Sequence, residues 1–225
     1  SYGPDIGVLG LGVLVKAILD QVPELARLRL SSIDAVEIDP SLLDIVIHEA
    51  RLMPHLHLSL QAGDDMILKR MKRRHTRQQA IDFCQKLKAQ RPDITFGADI
   101  IAGFPTETED MFAQSEKLVE QCELVWLHVF PYSQRPDTPA QRMPQVPGDI
   151  IKQRAARLRA AGDRQRQLWL DAQIGQTVNV LVEKPGSGRS ETFARVTCNA
   201  RHATGEIIAM TVNGHDGMAL QGIVV

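Results

Sequence analysis

Strand-like and helix-like stretches alternate along residues 14–130 of the sequence. Two of the helical stretches open with a capping box, Thr76 with Gln79 and Thr106 with Glu109. The strand patterns lie at 27–33, 55–60, 94–102 and 124–130, and the helical patterns at 14–22, 40–52, 76–90 and 106–121. This alternation predicts an α/β fold in which right-handed crossovers join parallel strands.

The predicted sheet is small, and the chain enters it on a helix. Four strands are half of the roughly eight that close a parallel α/β barrel. We therefore expect a partial barrel whose first part is missing from these 225 residues, so that the chain is a fragment.

The pattern changes after a long basic helix at 149–171. From IGQTVNVLVE (174–183) onward, short strand patterns are separated by turn-rich stretches such as KPGSGRSE and NGHDG. Such spacing is typical of a small antiparallel β module. The sequence therefore predicts two domains, residues 1–173 and residues 174–225.

Apolar content and cysteine usage restrict the cellular context. Residues 6–19, the most apolar opening stretch, are interrupted by three glycines and a lysine, and no run of about 18 apolar residues occurs. We expect no membrane association and a cytoplasmic location.

Cys84, Cys122 and Cys198 lie far apart, which fits neither a disulfide framework nor a zinc site and indicates buried thiols.

Positive charge is concentrated in two segments, although the net charge is only -1. KRMKRRHTR (69–77) and KQRAARLRAAGDRQR (152–166) are strongly basic. Two such segments are typical of a surface that faces phosphates, but each is also compatible with a solvated helix face. Nucleic-acid binding and plain solvation both stay open at this point.

Ligands of parallel α/β folds bind at the carboxyl ends of the strands. The segment AGFPTE (102–107) covers the end of one predicted strand and the turn after it, and we call such a segment a strand exit. Here Gly103 would let a ligand approach the backbone and Phe104 would offer a flat apolar face. Pro105 would stop the strand and leave its last backbone groups free for a ligand. The alternative is an ordinary turn between a strand and a helix.

Asp99 lies within an apolar strand pattern, where an unpaired carboxylate is costly. We expect it to pair with an arginine or backbone amides, or to contact a ligand. His128 is expected to be a core residue. His55 and His57 share one strand face, but two histidines without a third ligand make a poor metal site, so no metal ligand is assigned.

Three long motifs occur in a fixed order. LHLSLQAGDDMILKRMKRRHTR, FGADIIAGFPTETEDMF and HVFPYSQRPDTPA, followed by IGQTVNVLVE, closely resemble the radical S-adenosylmethionine methylthiotransferases that modify tRNA. LKRMKRRHTR and ADIIAGFPTET are most similar to the branch that acts on N6-threonylcarbamoyladenosine next to the anticodon. The branches that act on isopentenyladenosine or on a ribosomal protein are similar, and the last 52 residues resemble a TRAM domain.

This resemblance implies a fold, cofactors and partners. The fold would be the C-terminal part of a radical SAM partial (β/α) barrel, followed by a TRAM-like β domain that contributes to tRNA binding. The cofactors would be S-adenosylmethionine and, in the full-length enzyme, two 4Fe–4S clusters reduced by an electron donor. The Cys-x3-Cys-x2-Cys loop is absent from this sequence, and we expect Cys84, Cys122 and Cys198 not to converge. The chain alone should therefore hold no cluster and be inactive.

The strand exits and the resemblance together assign two sets of site residues, although each polar side chain could instead stabilise a turn. Contacts to S-adenosylmethionine are assigned to Ser31, Ser32, Gln61, Gly103, Phe104 and the backbone of Val129 and Phe130. Contacts to tRNA are assigned to Lys69, Arg70, Lys72, Arg73, Arg74, Tyr132, Ser133, Arg135, Arg154 and Arg157. No catalytic residue is assigned.

Two other classes of function compete with this hypothesis. A tRNA-binding module without catalysis would also explain the basic segments and the β module. An unrelated α/β-barrel enzyme acting on a phosphorylated small molecule would need a glycine-rich phosphate loop before a helix, and the sequence has none.

Overall fold

The structure is a computed structural model that describes residues 7, 10–199 and 202–225. The chain divides into two compact units, Ser1–Gly162 and Asp163–Val225. Helix α6 (Gly148–Gln173) contains this division and ends at Gln173, where the sequence predicts the domain boundary. No helix in the described part of the chain combines the length and the apolar character that crossing a membrane requires.

The first unit contains a parallel sheet. Its strands β1 (His55–Gln61), β2 (Thr95–Ala102) and β3 (Leu124–Pro131) lie in the order β1-β2-β3. This confirms the predicted parallel α/β class. The predicted strand at 27–33 is wrong, because only Leu28 and Ile33 form isolated bridges, to Leu52 and Leu58.

Within the described residues, five further α-helices accompany the sheet, and four of them start at a residue whose side chain caps the helix. The capping box of Thr76 and Gln79 is confirmed at the start of the helix that begins at Arg77. The predicted box of Thr106 and Glu109 is wrong, because Thr108 is the N-cap and Thr106 has a left-handed φ of 69°. The helices are α1 (Leu11–Gln21), α2 (Pro40–His48), α3 (Asp65–Arg70), α4 (Arg77–Gln90) and α5 (Glu109–Gln121).

Alternate residues of the strands separate a buried face from an open one. Leu58 on β1 and Phe96 and Ile100 on β2 belong to one apolar core that also includes Phe112 of α5 and Leu42 of α2. The intervening residues on each strand point to the other face, which is less buried and carries polar side chains. Any ligand-binding groups of the sheet therefore lie on this second face or at the strand ends.

The second unit forms a closed barrel of five short strands in the order β4-β5-β6-β8-β7. The pairs are antiparallel, as predicted for this region, except that β6 and β8 run parallel. Buried apolar side chains such as Val180, Val196 and Leu220 fill its centre. The strands are β4 (Thr177–Lys184), β5 (Ser187–Arg189), β6 (Arg195–Thr197), β7 (Ile207–His215) and β8 (Leu220–Val224).

Candidate functional site

A cavity of about 390 Å³ lies at the carboxyl ends of β1 and β2, and we call it the strand-exit cavity. Its volume falls within the roughly 300–1,000 Å³ of small-molecule sites. It is lined by Gln61, Arg70, Met71, Lys72, Arg73, Ile101, Phe104, Thr138, Pro139 and Ala140. Five of the predicted contact residues, from both assigned sets, thus surround one cavity.

Hydrogen bonds fix two of the three cations of this cavity. Arg70 Nη1 donates to Thr106 Oγ1 at 2.5 Å. Arg73 Nη2 donates to Asp34 Oδ2 at 3.0 Å and to the Ser59 carbonyl at 2.7 Å. Lys72 is exposed and forms no ion pair with a described residue. The charges of Arg70 and Lys72 are therefore not neutralised by a carboxylate within the described chain.

The apolar wall of the cavity belongs to a small buried cluster. Phe104 is 6% exposed and packs against Ala62, Ile67 and Leu68. Its ring meets that of Tyr132 edge to face, with 5.5 Å between centroids, and the Tyr132 hydroxyl is buried without a hydrogen-bond partner in the described chain. Phe104 thus lines the cavity as part of a packed apolar cluster.

The turn at Gly103 does not leave the room that the sequence suggested. Gly103 has a φ of 77°, and a Cβ there would lie 2.5 Å from Ile151 of α6. Its amide donates to Glu107 Oε2 at 2.9 Å, and the Ala102 carbonyl accepts from Tyr132 N. The expectation of free backbone groups and open space beside Gly103 is wrong, because packing and hydrogen bonds within the chain occupy both.

The buried carboxylate of Glu107 pairs with a buried arginine. Arg154 Nη1 lies 3.0 Å from Glu107 Oε2, and the two side chains are 7% and 1% exposed. Burial raises the pKa of Glu107 to about 6, against the lowering effects of its hydrogen bonds and of Arg154. The prediction that Arg154 contacts tRNA phosphates is wrong, because this side chain is enclosed in the fold.

The next arginine of α6 is also engaged. Arg157 forms ion pairs with Glu109 and Glu116, and its guanidinium lies 4.6 Å from the centre of the Phe112 ring. The hydrogen bonds to Glu116 and Glu109 raise the pKa of Arg157. Its charge is compensated by α5, which does not favour the predicted phosphate contact.

A second polar group lies on the open face of the sheet. His57 Nε2 and His128 Nδ1 lie 2.9 and 3.2 Å from the same oxygen, Oδ1 of Asp99. Gly97 leaves room for this arrangement, because a Cβ there would lie 2.6 Å from His57 Nδ1. The partners of Asp99 are thus histidines rather than the expected arginine or amides, and the His128 side chain is 62% exposed rather than in the core.

This group corrects the reasoning about metal ligands. One ligand atom from each of His57, Asp99 and His128 lies within 4.8 Å of the others. Asp99 and His128 therefore provide further ligand atoms beside His57, and His55 does not belong to this group. Such a set can hold one divalent ion, although both imidazoles already bond to the carboxylate. Sequence reasoning missed it because the strand register, which pairs Asp99 with His128, brings together residues from three strands.

Two of the three cysteines, Cys84 and Cys122, lie close together inside the first unit. Cys84 of α4 and Cys122 at the end of α5 are both buried, and the hydrogen bond to Cys122 and burial raise the pKa of Cys84. Cys198 lies in the second unit. An iron–sulfur cluster needs several thiolates together, so one pair of buried cysteines does not fit it.

The remaining predicted contacts lie outside the strand-exit cavity. Lys69 is exposed on α3, and Arg74 pairs with Glu37. The others are exposed or half-buried and are Ser31, Ser32, Val129, Phe130, Tyr132, Ser133 and Arg135. A larger cavity of about 620 Å³ is lined by residues of the β barrel.

The fold and a family match show which class of protein the chain resembles. Residues 11–119 match the family model of the Radical SAM superfamily. The chain is similar in fold to coproporphyrinogen III oxidase (HemN) from Escherichia coli, a Radical SAM enzyme, with a TM-score of 0.54 and 17% identity over 95% of this chain and 56% of that one. At this identity the likeness concerns the fold alone.

Curated proteins define the particular group. The chain is 50% identical over 215 residues to threonylcarbamoyladenosine tRNA methylthiotransferase MtaB of Rickettsia prowazekii, covering 95% of this chain and 51% of that protein. It is 40% identical over 172 residues to tRNA-2-methylthio-N(6)-dimethylallyladenosine synthase of Ehrlichia chaffeensis, covering 76% and 39%. The chain spans about half the length or less of these relatives. It is a relative of the radical SAM tRNA methylthiotransferases, and the resemblance of its motifs is confirmed.

Proposed function

We propose that this protein takes part in adding a methylthio group to N6-threonylcarbamoyladenosine next to the anticodon of tRNA. The observation that carries the proposal is the strand-exit cavity, which combines cations with an apolar wall where parallel α/β folds bind substrates. The identity of 50% to the MtaB relative, against 40% to the synthase of Ehrlichia chaffeensis, favours this adenosine over dimethylallyladenosine. A synthase-type activity is the second candidate.

S-adenosylmethionine would be the cofactor, supplying the radical and the methyl group. The exposed hydroxyls of Ser31 and Ser32 and the amide of Gln61 fit the ribose and amino-acid parts of such a ligand. The outer edge of β3, at Val129 and Phe130, is unpaired in the described sheet and fits an adenine edge. Gly103 and Phe104 would flank the adenosine part of the ligand.

Iron–sulfur clusters are part of the proposal only for the whole protein. The cysteines of this chain do not fit a cluster, so no step of the reaction is assigned to them. An electron donor would be a partner of the whole protein, and the cytoplasm, where tRNA is modified, would be its location.

The tRNA would contact two regions. The five-stranded barrel would act as a TRAM-like domain, and the basic segment 69–74 together with Tyr132, Ser133 and Arg135 would approach the anticodon arm. Phosphate contacts release counterions, so affinity should fall steeply with added salt. A module that binds tRNA without catalysis would show the same salt dependence, but its loss would leave the methylthio nucleosides of tRNA unchanged.

Mass spectrometry of tRNA from a strain lacking the gene tests the proposed function. We expect the methylthio derivative of N6-threonylcarbamoyladenosine to disappear and N6-threonylcarbamoyladenosine itself to accumulate. The methylthio derivative of dimethylallyladenosine serves as the internal control and should not change. Loss of that derivative instead would favour the second candidate, and unchanged tRNA would contradict both.

A further inference from the structure

We propose that the strand-exit cavity binds the carboxylate of the threonyl substituent and thereby selects the threonylcarbamoyl-bearing adenosine. This inference rests on the proposed function and names the part of the substrate that the cavity recognises. Of the ten residues that line the cavity, three are cationic and none is acidic. An anion is therefore the complementary ligand.

The hydrogen bonds of the three cations show which of them are available. Arg73 is held by Asp34, so its charge is compensated. Arg70 uses Nη1 to bond to the neutral hydroxyl of Thr106, and a guanidinium has five N–H donors, so others stay available. Lys72 has no ion pair in the described chain. Arg70 and Lys72 are thus the expected donors to a carboxylate.

The rest of the cavity fits the remainder of such a substrate. Met71, Ile101 and Phe104 provide apolar surface against which a nucleobase can pack. A dimethylallyl substituent carries no charge and would leave the cations without a counterion. A site that bonds a polar group rejects an analogue lacking it far more strongly than an apolar pocket does.

The backbone around the cavity supports a preformed site. Gln61 and Lys72, which both line it, have left-handed φ angles of 69° and 57°. Such a conformation is costly in a non-glycine residue and persists only where the surroundings hold it. The bonds of Arg70 to Thr106 and of Arg73 to Asp34 tie the same segment to the rest of the unit.

Four anticodon stem-loops that differ in one nucleoside test the inference. The variable position carries adenosine, N6-threonylcarbamoyladenosine, its methyl ester or N6-dimethylallyladenosine, while all phosphates stay the same. Fluorescence anisotropy gives the Kd of the 225-residue chain for each. We expect the free carboxylate to bind roughly ten- to a hundredfold tighter than the other three, as charged hydrogen bonds allow.

Charge-removing variants locate the effect. Lys72→Gln and Arg70→Gln should abolish the preference for the free carboxylate over its ester. Lys69→Gln is the matched control, because it removes a neighbouring exposed charge, on α3 and outside the cavity, and it should weaken all four RNAs alike. Thermal unfolding of each variant shows whether the fold is intact.

The possible failures are distinguishable. Equal affinity for carboxylate and ester, or an equal loss of preference in Lys69→Gln, overturns the carboxylate site and leaves the proposed function standing. Tighter binding of the dimethylallyl loop overturns the inference and favours the second candidate function. Absence of binding to every loop contradicts the proposed tRNA contacts and the inference together.

Discussion

The basic residues of α6 and those at the end of α3 and in the turn after it have different surroundings, although both segments are rich in arginine. Arg154 and Arg157 of α6 are paired with glutamates from residues 107–116. Arg70 and Lys72 instead line a cavity without acidic residues. The difference shows that the function of a basic segment depends on whether distant carboxylates meet it. Arg154 and Arg157 stabilise the fold, whereas Arg70 and Lys72, unlike the paired Arg73 and Arg74, stay available to an anion.

Replacing Arg154 by methionine should have the largest effect on the α6 side of this comparison. The change leaves the buried Glu107 without its cation, and breaking a buried pair in this way costs about 3–5 kcal/mol. Urea unfolding measures the loss. Arg159→Met, at an exposed position of the same helix, is the control and should stay within about 0.5 kcal/mol of the parent. Equal effects of the two would erase the contrast between the segments.

Gly103→Ala should be the next most damaging change. The left-handed conformation costs an alanine about 1–2 kcal/mol, and the new Cβ would lie 2.5 Å from Ile151 of α6, so we expect a loss of about 2–3 kcal/mol. Gly148→Ala, at the start of α6, is the control, since a Cβ there meets nothing within 4 Å. A stable Gly103→Ala protein would mean that α6 can move away from this turn.

Glu107 should make stability depend on pH between about 4.5 and 6. Its pKa is raised to about 6 in the fold, so folding favours the protonated carboxyl. The contribution of Glu107 to stability is therefore fully present below its unfolded pKa of 4.5. As the pH rises through 6, we expect about 2 kcal/mol to be lost. Urea unfolding at a series of pH values gives the free energy of unfolding of the parent and of Glu107→Gln. The variant should not show this loss. Parallel profiles would show that Arg154 compensates fully for burial.

The smallest expected effect concerns the salt dependence of tRNA binding. Lys69→Gln should lower the slope of log K against log salt by about 0.7–0.9 if this side chain contacts one phosphate. Arg157→Gln should leave the slope unchanged, because its charge is already compensated by Glu109 and Glu116. Filter binding between 50 and 200 mM salt, about the range over which such slopes are measured, provides the comparison. A larger change for Arg157→Gln would reverse the roles of the two segments.

The motifs predicted the family and the α/β class, and the alternation predicted β1, β2 and β3 together with α4 and α5. Local rules failed where tertiary contacts act. Thr106 matches a capping box in sequence, yet its backbone amide donates to the Pro144 carbonyl and its hydroxyl accepts from Arg70, so Thr108 caps α5 instead. The segment 27–33 alternates like a strand but approaches β1 only at Leu28 and Ile33.

Local sequence alone determined the periodicity of the strands and helices, the cap at Thr76 and the position of the strand exits, because these depend on neighbouring residues. Tertiary structure alone decided which charges meet. The pairing of Arg154 with Glu107, the filling of the space beside Gly103 by Ile151 and the joining of His57, Asp99 and His128 all bring together residues that are distant in sequence. Whether an arginine is buried with a carboxylate or faces a cavity depends on this packing.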